Sequence, residues 1–178
     1  MPRRQPLPRL WMFTDERQSQ MLWSALERLP RGSGVVFRHY SLGQQERRLL
    51  FRKVKRLCRR RGLLLLLAGD IGLGRAWRAD GVYGRGADRH PTPLLRGKSV
   101  HDLAELKTAE RARADVLFIS PVFPTRSHPG RPTLGRRGFA ALARRTRLPA
   151  IALGGMDGKR GRAMAAYAYG WAAIDAWT

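Results

Sequence analysis

Residues 114–130 read ADVLFISPVFPTRSHPG, an apolar run followed by a proline-rich polar segment. Its apolar residues 116–119 predict a strand covered on both faces, as in a parallel sheet. Three proline-containing steps then predict a stiff loop that carries Thr125, Arg126, Ser127 and His128, all able to hydrogen-bond to an anion. Parallel α/β folds bind ligands at the carboxyl ends of strands. The segment therefore predicts either a ligand-binding loop or a plain surface connection.

The composition of the 178 residues is that of one globular domain, residues 1–178, with 43% hydrophobic residues. No apolar run approaches the ~18 residues that span a membrane, and the amino terminus lacks a signal-peptide pattern. The single cysteine, Cys58, excludes an internal disulfide and a multi-cysteine metal site. We expect a soluble, cytoplasmic protein without a membrane partner.

The formal net charge of +22 makes nucleic acid a partner to consider. The one dense basic cluster is residues 45–61, QERRLLFRKVKRLCRRR, in which apolar residues recur at helical spacing and leave the arginines on a solvent face. A solvated helix face explains this cluster at least as well as a nucleic-acid site does, and no RNP, KH or zinc-finger pattern accompanies it. Nucleic acid is not the expected partner, although a basic nucleic-acid-binding module stays an alternative.

Strand signals alternate with helical ones along the whole chain, which predicts a parallel sheet. Closed on itself, a sheet of eight strands is a (β/α)8 TIM barrel, here a minimal one because such barrels usually take ~250 residues. The last helix is missing or truncated, and an open doubly wound sheet is the alternative. Residues 69–74, GDIGLG, are interpreted as a loop before a short helix at 76–78. The predicted strands are residues 10–15, 34–40, 63–68, 81–83, 94–100, 116–119, 149–156 and 171–177.

Groups that can bind phosphate follow two of these strands. Gly154 and Gly155 come after the seventh strand, where barrels often bind phosphate through backbone N–H groups, and a simple turn is the alternative. Arg38, at the end of the second strand, can hold a phosphate with two parallel hydrogen bonds. Asp88 is a candidate ligand for a hard cation such as Mg²⁺, and a turn residue is the alternative.

His101 is the candidate for acid–base catalysis because an imidazole titrates near neutral pH. It lies just after the fifth strand, at the start of a helix. An ordinary surface histidine is the alternative. Ser99 and Thr125, also at strand ends, are candidate neutral hydrogen-bond donors to a ligand.

The order of short motifs along the chain resembles that of thiamine phosphate synthase and of the related TenI-type thiazole tautomerase. The resemblance covers nearly the whole chain and implies a TIM barrel. The motifs are Phe13-Thr14-Asp15, Arg38, Ala79-Asp80-Gly81-Val82, Gly97-x-Ser99-Val100-His101, Ala114-Asp115, Pro121-x-Phe123-Pro124-Thr125, Leu134-Gly135 and Ala152-x-Gly154-Gly155.

The resemblance implies a transferase of thiamine biosynthesis that joins hydroxymethylpyrimidine pyrophosphate to thiazole phosphate and releases pyrophosphate with the help of Mg²⁺. It places Ser99 near the pyrimidine and Asp88 at a metal-ligand position. It implies a catalytic role for a histidine at the position of His101, which in the tautomerase moves a proton on the thiazole. The implied phosphate and pyrophosphate contacts are Arg38, Thr125, Ser127 and the loop of Gly154 and Gly155.

Three positions depart from the family's pattern. The metal-binding aspartate expected after the third strand stands one residue late, as Asp70. Tyr40 and His128 occupy positions where the family has lysines. The alternative to a synthase is therefore a TenI-like tautomerase or a synthase relative without synthase activity. A truncated last helix would also expose an apolar flank, so a homodimer is a further expectation.

Overall fold

The computed structural model describes residues 6–84, 92–126, 130 and 132–177. Its eight strands form a closed barrel in which every neighbouring pair is parallel and β1 pairs with both β2 and β8. The predicted TIM barrel is thus confirmed. The strands are β1 Leu10–Phe13, β2 Gly34–Phe37, β3 Leu64–Ala68, β4 Gly81–Tyr83, β5 Leu95–Val100, β6 Val116–Ile119, β7 Ala150–Leu153 and β8 Gly170–Ala173.

Six α-helices surround the barrel in the part of the chain that the structure describes. Between β4 and β5, no helix lies among the described residues. After β8 the structure describes a three-residue 3-10 helix, Asp175–Trp177. The helices are α1 Leu22–Arg28, α2 Gln44–Arg61, α3 Ile71–Ala76, α4 Leu103–Arg111, α5 Gly135–Ala143 and α6 Gly158–Met164, with a second 3-10 helix at Glu16–Met21.

The apolar strands bury both faces, and their alternation divides the core into three clusters. The barrel interior holds an aromatic group in which Phe13 contacts Tyr83 and Phe118 edge to face, with ring centroids 5.0 and 5.1 Å apart. One outer cluster packs α1 and α2 against β1 to β3, and the other packs α4 and α5 against β6 and β7. The polar ends of the strands therefore stand on a rigid apolar base.

Several predicted element boundaries are wrong. β1 and β2 end at Phe13 and Phe37, before the polar residues that the predicted strands 10–15 and 34–40 included. The short helix lies at Ile71–Ala76 and not at 76–78, since Asp70 caps its first turn by accepting a hydrogen bond from the N–H of Leu73 at 2.7 Å. β7 stops at Leu153, before the two glycines that were included in the predicted strand. β8 ends at Ala173, where the chain turns into the 3-10 helix.

Cys58 lies on the buried face of α2, 1% exposed, within the outer cluster of β1 to β3. Burial raises the pKa of its thiol to about 12, so the thiolate that would react is scarcely populated near neutral pH.

Among the described helices, none is both long and apolar enough to cross a membrane.

Candidate active site

A cavity of about 530 Å³ opens at the carboxyl ends of the strands. It brings together five of the predicted site residues, which come from four different strand ends: Arg38, Ser99, His101, Thr125 and Gly154. The apolar rings of Phe13 and Tyr83 contribute to it, and polar groups stand around them. The described lining residues are Phe13, Arg38, Tyr40, Tyr83, Gly84, Ser99, His101, Ser120, Pro121, Thr125, Leu153, Gly154 and Ile174.

Arg38 is held at the cavity by three hydrogen bonds to the end of β1. Its Nε donates to the carbonyl of Thr14 at 2.8 Å, its Nη2 donates to Asp15 Oδ2 at 2.8 Å, and its backbone N–H donates to Thr14 Oγ1 at 3.0 Å. The guanidinium also lies over the ring of Phe13, 5.7 Å from the centroid. The cation is therefore oriented before any ligand binds.

Asp15 is the carboxylate that holds Arg38, and it was not among the predicted site residues. A side-chain hydrogen bond from Arg17 lowers the pKa of Asp15, and the charge of Arg38 acts in the same direction. Asp15 therefore remains a carboxylate near neutral pH and keeps Arg38 in place. The signal for this pair was available in the sequence, because both residues lie at the carboxyl ends of neighbouring strands.

Arg47, in the first turn of α2, ties the ends of β2 and β3 together. Its Nη2 donates to the carbonyls of Arg38 at 2.8 Å and Ala68 at 2.7 Å. Burial lowers the pKa of Arg47, whose guanidinium also lies 5.4 Å from the ring centroid of Tyr40. The interpretation of the arginines in residues 45–61 as solvent-facing is thus wrong for Arg47, which satisfies strand-end carbonyls that would otherwise lack donors.

His101 lines the cavity and pairs with Glu105 on the first turn of α4. The distance from His101 Nδ1 to Glu105 Oε2 is 2.6 Å, and the same oxygen accepts the backbone N–H of His101 at 2.9 Å. A carboxylate only accepts, so Nδ1 carries a proton and Nε2 is left to exchange one with a ligand. Asp102 caps the helix by accepting from the N–H of Glu105 at 2.8 Å.

Gly154 and Gly155 lie directly against the loop that follows β6. The N–H of Phe123 donates to the carbonyl of Gly154 at 3.1 Å. Both glycines have positive φ, 96° and 60°, and a Cβ on Gly155 would lie 2.4 Å from the carbonyl oxygen of Pro124. Only glycine fits here, because the strand end and the loop backbone are in contact.

A second, smaller cavity of about 210 Å³ adjoins the first and shares Thr125, Leu153, Gly154 and Ile174 with it. Arg160 on α6 contributes a cation, which lies over the ring of Phe123 at 4.8 Å and donates to the carbonyl of Gly155. Arg126 lines this cavity as well and forms a 3.2 Å ion pair with Asp175. Two carboxylates also line this cavity: Asp157, which caps α6, and Asp175, which pairs with Arg126. The backbone, hydroxyl and guanidinium groups are of the kind that bind a phosphate monoester. Arg160 was not predicted, since nothing in the sequence distinguishes it from the other arginines.

Of the two predicted metal ligands, Asp70 alone lies within the residues that the structure describes. Asp70 is exposed, caps α3 and does not line the cavity. Asp88, Ser127 and His128 lie outside the described residues. Within residues 6–84, 92–126, 130 and 132–177, no group of three or more His, Cys, Asp or Glu side chains is placed to hold a metal ion, and the described lining of the main cavity includes no carboxylate.

The fold and this site define the protein as a (β/α)8-barrel enzyme whose pocket suits small phosphorylated molecules. Comparison with known proteins narrows the class. The family model described as thiamine monophosphate synthase (TMP-TENI) matches residues 10–176. The chain therefore belongs to the thiamine monophosphate synthase family and is a transferase-like enzyme of thiamine biosynthesis. This family is the one that the motifs of the sequence resemble.

Individual relatives agree with the family. A putative thiamine-phosphate synthase 2 from Aquifex aeolicus is 31% identical over 160 residues, which cover 84% of this chain and 86% of the relative. A thiamine-phosphate synthase from Pyrococcus horikoshii is 27% identical over 158 residues, 84% of this chain and 76% of the relative. The solved structure of thiamine phosphate pyrophosphorylase from Pyrococcus furiosus has a TM-score of 0.80 at 25% identity, covering 94% of this chain and 85% of that one.

Proposed function

We propose that the main cavity condenses hydroxymethylpyrimidine pyrophosphate with thiazole phosphate to give thiamine phosphate and pyrophosphate. The observation that carries the proposal is the convergence of Arg38, Ser99, Thr125 and Gly154 on one cavity at the strand ends of a chain of this family. In this reaction the bond from the exocyclic carbon to the pyrophosphate oxygen breaks, and the thiazole nitrogen supplies the electron pair of the new carbon–nitrogen bond. The leaving pyrophosphate takes the electrons of the broken bond.

Arg38 is the group that would stabilise the leaving pyrophosphate. Charge increases on the bridging oxygen as the bond breaks, and a guanidinium already fixed by Asp15 does not need to reorganise at that moment. The planar rings of Phe13 and Tyr83 offer an apolar surface for the pyrimidine, with Ser99 as a neutral hydrogen-bonding partner.

The second cavity would hold the phosphate of the thiazole. Gly155 and Arg160 lie there, and Thr125 and Gly154 belong to both cavities. Binding the phosphate beside the main cavity orients the thiazole nitrogen toward the reacting carbon and makes the bimolecular step effectively unimolecular. Ser127 and His128, which follow Thr125 and Arg126 in the sequence, remain predicted phosphate contacts.

Mg²⁺ is implied by the family, and a bound ion would neutralise charge on the pyrophosphate. The described residues alone do not form a site for this ion, and the roles given to Arg38 and to the second cavity do not depend on it. Asp70 and Asp88 remain the predicted ligands.

The variant D70N tests one of these two ligands, because asparagine also caps helices and preserves the fold of α3. A metal role requires D70N to raise the Mg²⁺ concentration for half-maximal activity about tenfold or more, with D70S as a second capping control. An unchanged requirement assigns Asp70 to the helix cap alone.

The test of the synthase proposal is formation of thiamine phosphate from the two substrates with Mg²⁺, followed together with pyrophosphate release. We expect product and pyrophosphate in equal amounts, and none when either substrate is omitted. Absence of product at high enzyme concentration, from protein shown by circular dichroism to be folded, would overturn the proposal.

The pairing of His101 with Glu105 favours a second candidate, proton transfer on the thiazole as in a TenI-like tautomerase. This function needs thiazole phosphate and an acid–base group, and it needs no pyrophosphate site. Calorimetry separates the two candidates. Tight binding of thiazole phosphate with weak binding of the pyrimidine pyrophosphate supports the tautomerase, whereas tight binding of both supports the synthase.

A further inference from the structure

Helix α2 has two charged flanks with different surroundings. Arg60 and Arg61 face α1, where Glu27 lies 2.6 Å from Arg60 Nη2 and 3.6 Å from Arg61 Nε. The other flank faces α3 and carries, besides Lys53, five cations. The later four follow the first at four, seven, eight and eleven residues, which places all five along one side of the helix. These five, termed the α2 basic stripe, are Arg48, Arg52, Lys55, Arg56 and Arg59.

The α2 basic stripe forms one wall of a groove of about 660 Å³, and the end of α3 with Arg78 forms the other. Its base is the buried contact between Phe51 and Trp77, whose ring centroids are 5.2 Å apart. Lys55 joins the walls by donating from Nζ to the carbonyl of Arg78. The described lining of the groove includes no carboxylate.

The four arginines of the stripe are exposed, and none forms a salt bridge with another described residue. Like charges four residues apart repel each other along a helix, and the net charge of +22 adds to the positive potential. A polyanion in the groove would relieve this repulsion and release its own condensed counterions.

We infer that this groove binds the phosphodiester backbone of a nucleic acid without regard to sequence, a function beyond the synthesis proposed above. Arg48 to Arg59 spans about 16 Å of helix at 1.5 Å per residue, a length over which one strand of a duplex presents about four or five phosphates. Trp77 is only 8% exposed and is not available to stack on bases. The groove therefore offers cations to the phosphodiester backbone and no exposed aromatic ring on which bases could stack.

General attraction by a highly basic protein is the competing explanation, and the chain offers a matched control for it. Helix α5 and the residues just after it carry four exposed arginines, none in a salt bridge with another described residue: Arg136, Arg137, Arg144 and Arg145. Replacing these four changes the net charge by the same amount as replacing the four arginines of the stripe.

The experiment compares R48Q/R52Q/R56Q/R59Q with R136Q/R137Q/R144Q/R145Q by fluorescence anisotropy. The probes are a labelled single strand of about 20 nucleotides and the corresponding duplex, from about 50 to 200 mM salt. Loss of four phosphate contacts should lower the slope of log K against log salt by about 3 for the single strand and weaken binding at least about tenfold. The α5 variant should change the slope by less than about 1. Equal losses in both variants, or no binding by the unsubstituted protein, would overturn the inference.

Two further measurements exclude other occupants and other causes. Vesicles containing phosphatidylserine test for a lipid surface, and loss of vesicle binding by the stripe variant with nucleic-acid binding retained would also overturn the inference. The groove shares no lining residue with the main cavity, so the stripe variant should synthesise thiamine phosphate at the rate of the unsubstituted protein. Failure of synthesis in the unsubstituted protein would sink the proposed function and leave the inference about the groove standing.

Discussion

The two halves of the barrel mouth present anion-binding groups in different ways. At the ends of β1 to β4, the charged side chains make fixed contacts within the protein. Asp15 holds Arg38, and Arg47 donates to the backbone carbonyls of Arg38 and Ala68. At the ends of β5 to β8, Gly155 packs directly against the β6 loop, and the cations Arg126 and Arg160 stand beside this packed backbone. The first half depends on a fixed charge in the main cavity, and the second depends in addition on close backbone packing.

This difference predicts which property, activity or stability, a substitution in each half should impair. Removing a fixed charge from the first half should impair chemistry and leave the fold intact, because the charge sits on a packed apolar base. Filling the space of a glycine in the second half should destabilise the protein, because two backbone segments are forced apart.

The largest effect is expected for Arg38, with the variants R38M and R38K. R38M removes the fixed cation, and we expect kcat/KM for thiamine phosphate formation to fall about 10²- to 10³-fold, as when one preorganised donor is lost. R38K keeps the charge but loses the planar fork, so its loss should be smaller. The free energy of unfolding in urea should change by about 1 kcal/mol, since Asp15 keeps its bond from Arg17. A large loss of stability with little change in kcat/KM would reverse the assignment.

G155A tests the second half, and G32A is its control. Both glycines have positive φ, 60° and 78°, but a Cβ on Gly32 would have no atom within 4 Å. We expect G155A to lower the free energy of unfolding by about 3 kcal/mol, from backbone strain plus overpacking, and G32A by about 1 kcal/mol from strain alone. Similar losses measured for the two variants in urea would show that the loop contact adds nothing.

The variant E105Q tests the role of His101. Glutamine preserves the hydrogen-bonding pattern at this position of the helix and removes only the charge of Glu105. If His101 moves a proton on the thiazole, we expect kcat for that step to fall about tenfold with KM unchanged, since glutamine stabilises an imidazolium less well. The control D102N retains the cap and should keep kcat within about twofold. Equal losses in E105Q and D102N would indicate a structural role.

The smallest effect concerns His39, which is 2% exposed behind the first half and lies 3.0 Å from Thr14 Oγ1 through its Nδ1. Burial lowers the pKa of His39 below its ordinary value of 6.5. Below about pH 6.5, His39 therefore binds a proton in the unfolded chain. In the folded chain it binds that proton only at lower pH. Stability should fall as the pH decreases through this range, by at most about 1.4 kcal/mol per pH unit.

H39N removes this titration, and asparagine tolerates the positive φ of 40° at this position. Urea unfolding between about pH 7 and 5 should show a shallower loss of stability for H39N than for the unsubstituted protein. Parallel pH profiles would assign the acid sensitivity to other groups.

The fold could be predicted from the sequence because each strand combines apolar residues with a polar or glycine end. Val116–Ile119 and Gly154-Gly155 show this most clearly, and the structure places their ends in contact. The helix at Ile71–Ala76 was misplaced because two glycines in its first two turns suggest a loop, whereas the cap at Asp70 outweighs their poor helix propensity.

The site was predicted only in part, because strand ends reveal which residues face the cavity and not which residues hold them. Position at strand ends was enough to predict that Arg38, Ser99, His101 and Thr125 face one cavity. Glu105 was missed although its spacing of four from His101 places both on one side of a helix turn. Arg160 depends on the packing of α6 beside Phe123, which pairwise spacing along the chain does not encode.

The buried thiol of Cys58 has a practical consequence for spectroscopy. As the one cysteine of the chain, with a pKa raised to about 12, it should resist labelling reagents in the folded protein. A single cysteine introduced at the exposed Tyr40, on the rim of the main cavity, could then carry a spin label or fluorophore without first removing the native thiol. The protein is in this sense ready to carry a single reporter group at the mouth of its main cavity.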